Sequence, residues 1–295
     1  MRHAFRRPAA RILILILLGA SALASGSTLA QKASSPDYVP QVGQQGKDVI
    51  WVPTPQALVE RMLDMAQVTP NDYVIDLGAG DGRTIITAAK RGARALGIEY
   101  NPDMVTLARR NAEQAGVSGS AQFIQGDIFK TDFSQADVLT LYLLPSLNLK
   151  LRPTILKMRP GSRVVSHAFT MHDWQPDQTG KVEDRTAYLW IVPASVEGTW
   201  RLSTSDGNSD SDELVLRQRF QYADGLVRIN GKAGQLRNFK IHGAQVSFTM
   251  FEPAPEEPVR YEFTGRVTDE TMGGVVKLPE GQRSWTATRV PTAKR

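Results

Sequence analysis

The fold of this chain is decided at residues 76–83, which read Asp76-Leu77-Gly78-Ala79-Gly80-Asp81-Gly82-Arg83. An apolar run leads into this octet and a helical stretch follows it. Glycine at every second position permits positive φ angles and lets a ligand approach the backbone without meeting a Cβ atom. The following helix presents free N–H groups and the positive end of its dipole at the same place. The octet therefore predicts a strand, a ligand-binding turn and a helix.

The spacing of the glycines distinguishes the octet from a dinucleotide-binding fingerprint. Such a fingerprint has its third glycine five residues after the first, and Arg83 stands at that position here. The observed pattern is Gly-x-Gly-x-Gly with an acid, Asp76, two residues before the first glycine. The octet therefore does not match the dinucleotide-binding fingerprint.

Two further acids come where the next two predicted strands end. Glu99 lies 21 residues beyond Gly78, where a carboxylate accepts hydrogen bonds from the hydroxyls of an adenosine ribose. Asp127 follows the third strand, and its carboxylate is suited to an adenine amino group, with Ile128 or Phe129 against the ring. Taken alone, each acid has an ordinary structural explanation, Glu99 as a solvated residue and Asp127 as a turn residue. Acids at three successive strand ends together favour a nucleoside site.

Short apolar runs alternate with helical stretches through the first two thirds of the chain. The runs predicted as strands are residues 73–77, 95–98, 121–124, 138–144 and 163–168, with a late strand at 187–193. Thr54 and Pro55 form a typical N-cap and first-turn pair for the amphipathic helix that follows them. Strand, helix and strand in alternation predict an α/β fold with a doubly wound, Rossmann-like parallel sheet over residues 48–195.

The helical period ends after about residue 196, and apolar residues then alternate with polar ones. The alternating residues are Leu214, Leu216, Phe220, Tyr222, Val246, Phe248, Met250, Tyr261 and Phe263. Asp224-Gly225 and Asn230-Gly231 are predicted to be turns between strands. Residues 196–295 are therefore expected to form a small, separate antiparallel all-β domain, either a barrel or a sandwich.

Composition and charge exclude several classes of protein. With 41% hydrophobic and 22% charged residues, the chain has the material for a folded core. The absence of cysteine excludes disulfides, thiolate metal sites and a cysteine nucleophile. Setting aside the arginines at positions 2, 6, 7 and 11 leaves 31 basic and 30 acidic residues. Because this near-neutral balance gives no net field to attract a polyanion, we expect no nucleic-acid partner.

The N-terminal residues are typical of an export signal. Arginines at residues 2–11 precede an apolar run, and small residues at 22–24 and 28–30 provide cleavage sites. The apolar stretch of 13 residues at 12–24 is shorter than the roughly 20 residues of a membrane-spanning helix. We expect a signal peptide at residues 1–30 and a linker at 31–47. The protein is then periplasmic or secreted without a stable transmembrane span, or membrane-anchored if the signal is not cleaved.

The octet, Gly97-Ile98-Glu99 and Gly126-Asp127 together resemble the class I S-adenosylmethionine-dependent methyltransferases. Flanking stretches are similar to a narrower group, the small lysine N-methyltransferase-like proteins related to the mitochondrial enzymes that modify the ATP synthase c-subunit and the adenine nucleotide carrier. These stretches are Trp51-Val52-Pro53-Thr54-Pro55, Thr140-Leu141-Tyr142-Leu143-Leu144-Pro145, Leu151-Arg152-Pro153 and Asp173-Trp174-Gln175-Pro176-Asp177. The resemblance covers about residues 48–193 and leaves the β domain aside.

The resemblance implies S-adenosylmethionine as the cofactor. The residues that it implies for cofactor binding are Asp76, Gly78, Gly80, Gly82, Glu99, Asp127 and Ile128. In this interpretation the three glycines surround the methionine part of the cofactor and Asp76 lies on its ammonium side. Glu99 then holds the ribose and Asp127 the adenine. The segment around Pro53 and Thr54 is implied to help cover the cofactor or the substrate.

A methyltransferase must mainly align a nucleophile with the activated methyl group and exclude water. The candidate catalytic residues near the methyl group are Tyr142, Ser146, Asn148 and His167, with Asp173 considered beside them. The stretch at residues 143–146 lacks the Asn/Asp-Pro-Pro-aromatic signature of methylation on adenine or glutamine. We expect no metal site, because the spacing of His167, His172 and Asp173 does not bring them together.

The predicted function is therefore methylation of a lysine in a protein substrate, which the β domain recruits. S-adenosylmethionine is a cytosolic metabolite, whereas an export signal sends the chain out of the cytosol. Because of this conflict, a second function is considered. The alternative is an exported envelope binding or scaffold protein whose methyltransferase-like core is inactive.

Overall fold

The computed structural model describes residues 38–204, 212–229, 232–252 and 257–291. The predicted signal peptide, the first part of the predicted linker and the Asn230-Gly231 turn lie outside these residues. Within the described ranges, every helix is too short or too polar to cross a membrane.

A seven-stranded sheet forms the first part of the fold, in the strand order β3-β2-β1-β4-β5-β7-β6. The strands are β1 Tyr73–Leu77, β2 Arg94–Glu99, β3 Ala121–Gln125, β4 Val138–Leu141, β5 Arg163–His167, β6 Gln178–Val182 and β7 Arg185–Ile191. Strands β1 to β5 are parallel to one another, whereas β7 is antiparallel to β5 and to β6. The predicted α/β class with a doubly wound sheet is confirmed.

Four helices accompany the sheet: α1 Gln56–Met65, α2 Arg83–Lys90, α3 Pro102–Gln114 and α4 Pro145–Ile155. Helices α2, α3 and α4 cross between parallel strands, as a doubly wound sheet requires. Strands β1 and β4 are buried along almost their whole length, which is typical of central strands covered by helices on both faces. Strand β6 was not predicted because its sequence, Gln-Thr-Gly-Lys-Val, is mostly polar and exposed.

The predicted N-cap at Thr54 is wrong. Helix α1 begins at Gln56 with Pro55 at the N-cap position, and no side chain caps it. The hydroxyl of Thr54 is instead hydrogen-bonded to His167 at the end of β5. A buried hydroxyl that is needed for a contact between elements is not free to cap a helix.

A closed antiparallel barrel forms the second part, in the order β10-β11-β12-β13-β14-β15-β8-β9. Its strands are β8 Gly198–Thr204, β9 Glu213–Arg219, β10 Tyr222–Ile229, β11 Lys232–His242, β12 Gln245–Glu252, β13 Val259–Thr268, β14 Thr271–Leu278 and β15 Gly281–Arg289. The ring of Phe248 stacks on those of Phe239 and Phe263, with centroids 4.7 and 4.6 Å apart. The predicted all-β domain is therefore confirmed, and of the two architectures it is a barrel.

The prediction of a turn at Asp224-Gly225 is wrong. Both residues lie inside β10, where they pair with Arg217 and Leu216 of β9. The register between β10 and β11 shifts between Ala223 and Leu226, where the two residues 224–225 face three residues of β11, so the bulge lies on β11 and the dipeptide continues its strand. The turn that joins β9 to β10 lies earlier, at residues 220–221, where Phe220 has a positive φ angle.

Candidate active site

A pocket of about 470 Å³ opens at the carboxyl edge of the sheet. This volume lies within the roughly 300–1,000 Å³ of pockets that bind small molecules. Residues 44–54, which we call the strap, form one wall, and the ends of β1, β2 and β4 form the floor. The described part of the predicted linker is thus not a tether, because Gln44 to Lys47 belong to the pocket wall.

Asp76 lies buried on β1 in the floor of the pocket. The hydroxyl of Thr140 on the adjacent strand β4 donates a hydrogen bond of 2.7 Å to its Oδ1. The pKa of Asp76 is raised to about 7, mainly by burial and in addition by the charges of Glu99 and Asp81, while the Thr140 hydrogen bond opposes the rise. A cation bound beside this carboxyl would offset the cost of its burial.

The carboxylate of Glu99 joins the glycine turn to the start of α3. Its Oε2 accepts a hydrogen bond of 3.0 Å from the backbone N–H of Gly80, and its Oε1 accepts one of 3.0 Å from that of Asn101. These two bonds fix the side chain at the pocket wall. A fixed acceptor at the end of β2 is suited to the hydroxyls of a ribose, as expected from the sequence.

The glycine turn and the strap pack closely together at Gly80. Gly80 has a φ angle of +55°, and a Cβ atom there would lie 2.8 Å from Nε1 of Trp51. Gly78 and Gly80 both line the pocket, as does Trp51. The second tryptophan considered from the sequence, Trp174, is fully buried elsewhere in the core.

The structure places Gly82 away from its expected position around the cofactor. Gly82 is the N-cap residue of α2 and is not part of the pocket lining. A Cβ atom at Gly82 would lie 2.7 Å from Cζ of Phe123 and 2.9 Å from Cβ of Ala108. This glycine is therefore required for close packing of the turn against α3 and β3.

Asp127 and Ile128 line the pocket beyond the end of β3. Nζ of Lys47 in the strap lies 2.8 Å from Oδ2 of Asp127, and the backbone N–H of Phe129 donates to Oδ1 at 3.0 Å. The hydrogen bond from Lys47 holds the pKa of Asp127 below its ordinary value. Lys47 also lies 4.6 Å from the ring centroid of Tyr100. The strap is thus tied to the acid expected to hold the adenine.

Two aromatic side chains also line the pocket. Tyr142 and Phe169 line it, with ring centroids 6.1 Å apart. The buried ring of His167 stacks on Tyr142 with a centroid distance of 3.8 Å. Burial, together with the charge of Arg185, lowers the pKa of His167 to about 4. The imidazole is therefore neutral near pH 7 and supports the tyrosine from outside the pocket lining.

Ser146 and Asn148 do not reach the pocket, contrary to their selection as candidates. Ser146 lies exposed in the first turn of α4. Asn148 is buried, and its Nδ2 is 3.4 Å from the carbonyl oxygen of Phe169 and 3.3 Å from that of Thr170. Its role is to hold the chain that follows β5. Asp173 is likewise outside the pocket lining and pairs with Arg152.

Three residues of the site were missed from the sequence: Thr140, Phe169 and Lys47. A threonine on a fully buried strand such as β4 needs a polar partner, and this signal could have linked Thr140 to Asp76. Phe169 follows the end of β5 by two residues, which is a typical position for a ligand contact. Nothing in the sequence near Lys47 indicates its pairing with a residue 80 positions later.

The arrangement fits S-adenosylmethionine. Asp76 offers a buried carboxyl for the ammonium group, Glu99 a fixed acceptor for the ribose, and Asp127 an acceptor for the adenine amino group. Gly78 and Gly80 themselves present no side chains to the pocket. In the part of the chain that the structure describes, no three His, Asp or Glu residues are grouped so as to hold a metal ion.

Comparisons with known proteins point to the same class. A family model described as ANTKMT methyltransferase domain matches residues 76–178. The chain is 43% identical over 162 residues to a Protein-lysine N-methyltransferase of Saccharolobus islandicus, covering 52% of this chain and 96% of that protein. It is 36% identical over 130 residues to the ATP synthase c-subunit lysine N-methyltransferase of Mus musculus, covering 44% of this chain and 52% of that protein.

A solved structure also matches, described as an RNA methyltransferase from Salinibacter ruber in complex with S-adenosyl-L-homocysteine. It is 50% identical with a TM-score of 0.48, and the match covers 49% of this chain and 96% of that chain. The chain spans about half the length of the mouse relative and nearly all of the Saccharolobus relative. With 43% identity across almost the whole of that relative, the chain belongs to the ANTKMT methyltransferase domain family and is a class I S-adenosylmethionine-dependent methyltransferase.

Proposed function

We propose that the enzyme transfers a methyl group to the side-chain amine of a lysine in a protein substrate. Relatives named as lysine N-methyltransferases support this acceptor. The structural observation that carries the proposal is the pair of aromatic residues Tyr142 and Phe169, which line the same pocket as the acids Asp76 and Glu99. An ammonium group is attracted to the face of an aromatic ring.

When bound, S-adenosylmethionine supplies an activated methyl group on a sulfonium. The chain itself has to bind the acceptor, orient it and exclude water. In this proposal Asp76, Glu99 and Asp127 hold the two ends of the cofactor, while the strap covers it. Tyr142 and Phe169 form the apolar channel through which the lysine side chain enters.

A lysine amine must lose its proton before it acts as a nucleophile. With an ordinary pKa of about 10.4, deprotonation at pH 7 costs roughly 4.6 kcal/mol. An apolar channel lowers this cost because burial disfavours the charged amine. The neutral His167 behind Tyr142 adds no positive charge that would repel the approaching lysine. The proton leaves to solvent at the pocket mouth.

The acceptor is tested by incubating the purified full chain with methyl-labelled S-adenosylmethionine and separate envelope and cytosolic extracts. We expect label that is removed by protease and not by ribonuclease, and methyl-lysine in the hydrolysed protein. The Asp76→Asn variant serves as the control for cofactor-dependent labelling. Label confined to RNA, or to a residue other than lysine, would contradict the proposal.

We also propose that the chain is exported and that the barrel recruits the substrate. The support for export is the N-terminal arginine and apolar pattern in the sequence. Cell fractionation with N-terminal sequencing tests it, and the expected product begins shortly after residue 24 or residue 30. An uncleaved chain found in the cytosol would contradict export.

A further inference from the structure

We propose that Phe220, in the turn between β9 and β10 of the barrel, is a positioning residue for methyl transfer. From the barrel side it holds in place α4 and residues 168–177, the segments that position Phe169 on the acceptor side of the pocket. This inference rests on the methyltransferase activity of the fold and not on lysine as the acceptor. It gives the barrel a part in shaping the active site.

Phe220 projects from the barrel onto the α/β domain. Its ring stacks on that of Trp174, with centroids 5.8 Å apart and an angle of 14° between the planes. The guanidinium carbon of Arg152 lies 5.2 Å from the centroid of the same ring. The backbone of Phe220 has a φ angle of +55°, a left-handed conformation that a bulky residue keeps only when its surroundings fix it.

The next residue of the turn makes a second contact with the α/β domain. The buried Gln221 donates a hydrogen bond of 2.8 Å from Nε2 to the carbonyl oxygen of Gln175. Arg219, at the end of β9, lies 3.4 Å from the carboxylate of Asp173. The three consecutive residues 219–221 therefore contact residues 173–175, so the turn docks as a unit.

Helix α4 connects this contact to the pocket. Nη1 of Arg152 donates to the carbonyl oxygen of Met171 at 2.9 Å and also pairs with Asp173. One turn earlier, Asn148 lies within 3.4 Å of the carbonyl oxygens of Phe169 and Thr170. Phe169 itself lines the pocket and stacks on Tyr142. The chain of contacts from the barrel to the acceptor side is thus continuous.

The cofactor side of the pocket is built from other elements. The strap, the glycine turn and Glu99 contact one another, and none of the contacts described for them involves Phe220. Removal of the Phe220 ring is therefore expected to loosen the acceptor side and leave cofactor binding unchanged.

The test compares Phe220→Ala and Phe220→Leu with Phe220→Tyr in the full chain. Tyr222→Ala is the matched control, since Tyr222 lies in the same hairpin and is 52% exposed. Hydrogen–deuterium exchange is followed in residues 145–155 and 168–177 and, for comparison, in residues 44–54 and 73–83. Affinity for S-adenosyl-L-homocysteine is measured by calorimetry, and methyl transfer is measured with an envelope protein extract.

We expect Phe220→Ala and Phe220→Leu to speed exchange in α4 and residues 168–177 only. Their KM for the acceptor should rise roughly ten-fold, about what the loss of one aromatic stack and one cation–π contact gives. Phe220→Tyr and Tyr222→Ala should behave as the unmodified enzyme. Unchanged exchange in α4, or an equal loss of cofactor affinity in the Leu variant, would overturn the proposal. If the unmodified enzyme labels no protein, the lysine proposal fails, and the exchange measurement still decides the role of Phe220.

Discussion

The hydroxyl of Thr54 and Nδ1 of His167 lie 3.0 Å apart, although 113 residues separate them in the chain. Both side chains are buried. The bond fixes the end of the strap to the carboxyl end of β5, directly behind the ring of Tyr142. The cover of the cofactor side and the support of the acceptor side are therefore joined through one hydrogen bond.

Replacing Thr54 by Val tests this hydrogen bond, because valine keeps the shape of the side chain and removes the hydroxyl. The change leaves a buried ring nitrogen of His167 without its partner, at an expected cost of about 1–3 kcal/mol in the free energy of unfolding. Urea denaturation measures this cost, and methyl transfer is expected to fall as Tyr142 loses its support. Thr54→Ser is the control and should be close to the unmodified enzyme. A Val variant of unchanged stability would show that the bond is unimportant.

The raised pKa of Asp76 predicts a pH dependence of cofactor binding. Below about pH 7 the carboxyl of Asp76 is largely protonated, and only its ionised form attracts an ammonium group. Affinity for S-adenosylmethionine should therefore increase as the pH rises through 7, and binding at pH 6.5 should release protons. Calorimetry in two buffers with different ionisation enthalpies measures this release. Binding without proton release would contradict the assignment.

The raised pKa of Asp76 also makes the stability of the cofactor-free protein depend on pH. The pKa of Asp76 is higher in the folded state than the ordinary value of 3.8, so the folded state binds this proton more tightly. The stabilisation that this bound proton gives to the folded state is complete below about pH 4 and is lost as the pH rises through about 7. Asp76→Asn should remove this dependence, which urea denaturation across this pH range measures. It should also weaken cofactor binding by about 10- to 100-fold, as expected for one charge-assisted hydrogen bond.

Tyr142 is predicted to act through its ring. Tyr142→Ala should raise the KM for the acceptor by about 2- to 30-fold, the range expected for a lost cation–π contact. Tyr142→Phe keeps the ring and its stacking on His167, so steady-state kinetics should show a nearly unchanged KM. A large loss in the Phe variant would mean that the hydroxyl, and not the ring, is the important group.

Lys47 is predicted to compete with the cofactor for Asp127, because its Nζ already lies 2.8 Å from Oδ2. Lys47→Ala should therefore bind S-adenosylmethionine roughly two- to five-fold more tightly, in keeping with the modest strength of exposed ion pairs. Lys47→Arg, which keeps the charge, should not. Both affinities are measured by calorimetry at low salt. Weaker binding by the Ala variant would show that Lys47 contacts the cofactor instead of competing with it.

The central strands and the pocket acids were predictable because each depends on a local pattern. Strand β1 is a short apolar run that ends in a glycine turn, and Glu99 ends the apolar run of β2. Such signals need only the residues on either side of them. The all-β domain followed from alternation along single strands, since one buried face repeats at every second residue.

The remaining features depend on residues that are distant in the chain. Thr54 looked like a helix cap because its partner His167 comes 113 residues later. Gly82 looked like a pocket residue because Phe123 and Ala108, which it packs against, belong to β3 and α3. Asp224-Gly225 has the composition of a turn, and only its pairing with β9 shows that it continues a strand. Local sequence does not encode these contacts.

The barrel is closed, and Phe239, Phe248, Phe263 and Trp285 fill part of its interior. A sheet without free edges does not template the addition of strands from other chains. Its outward-facing residues carry little of the folding energy, so they are able to diverge without unfolding the domain. Selection can therefore change the outer surface of the barrel while the catalytic domain is preserved.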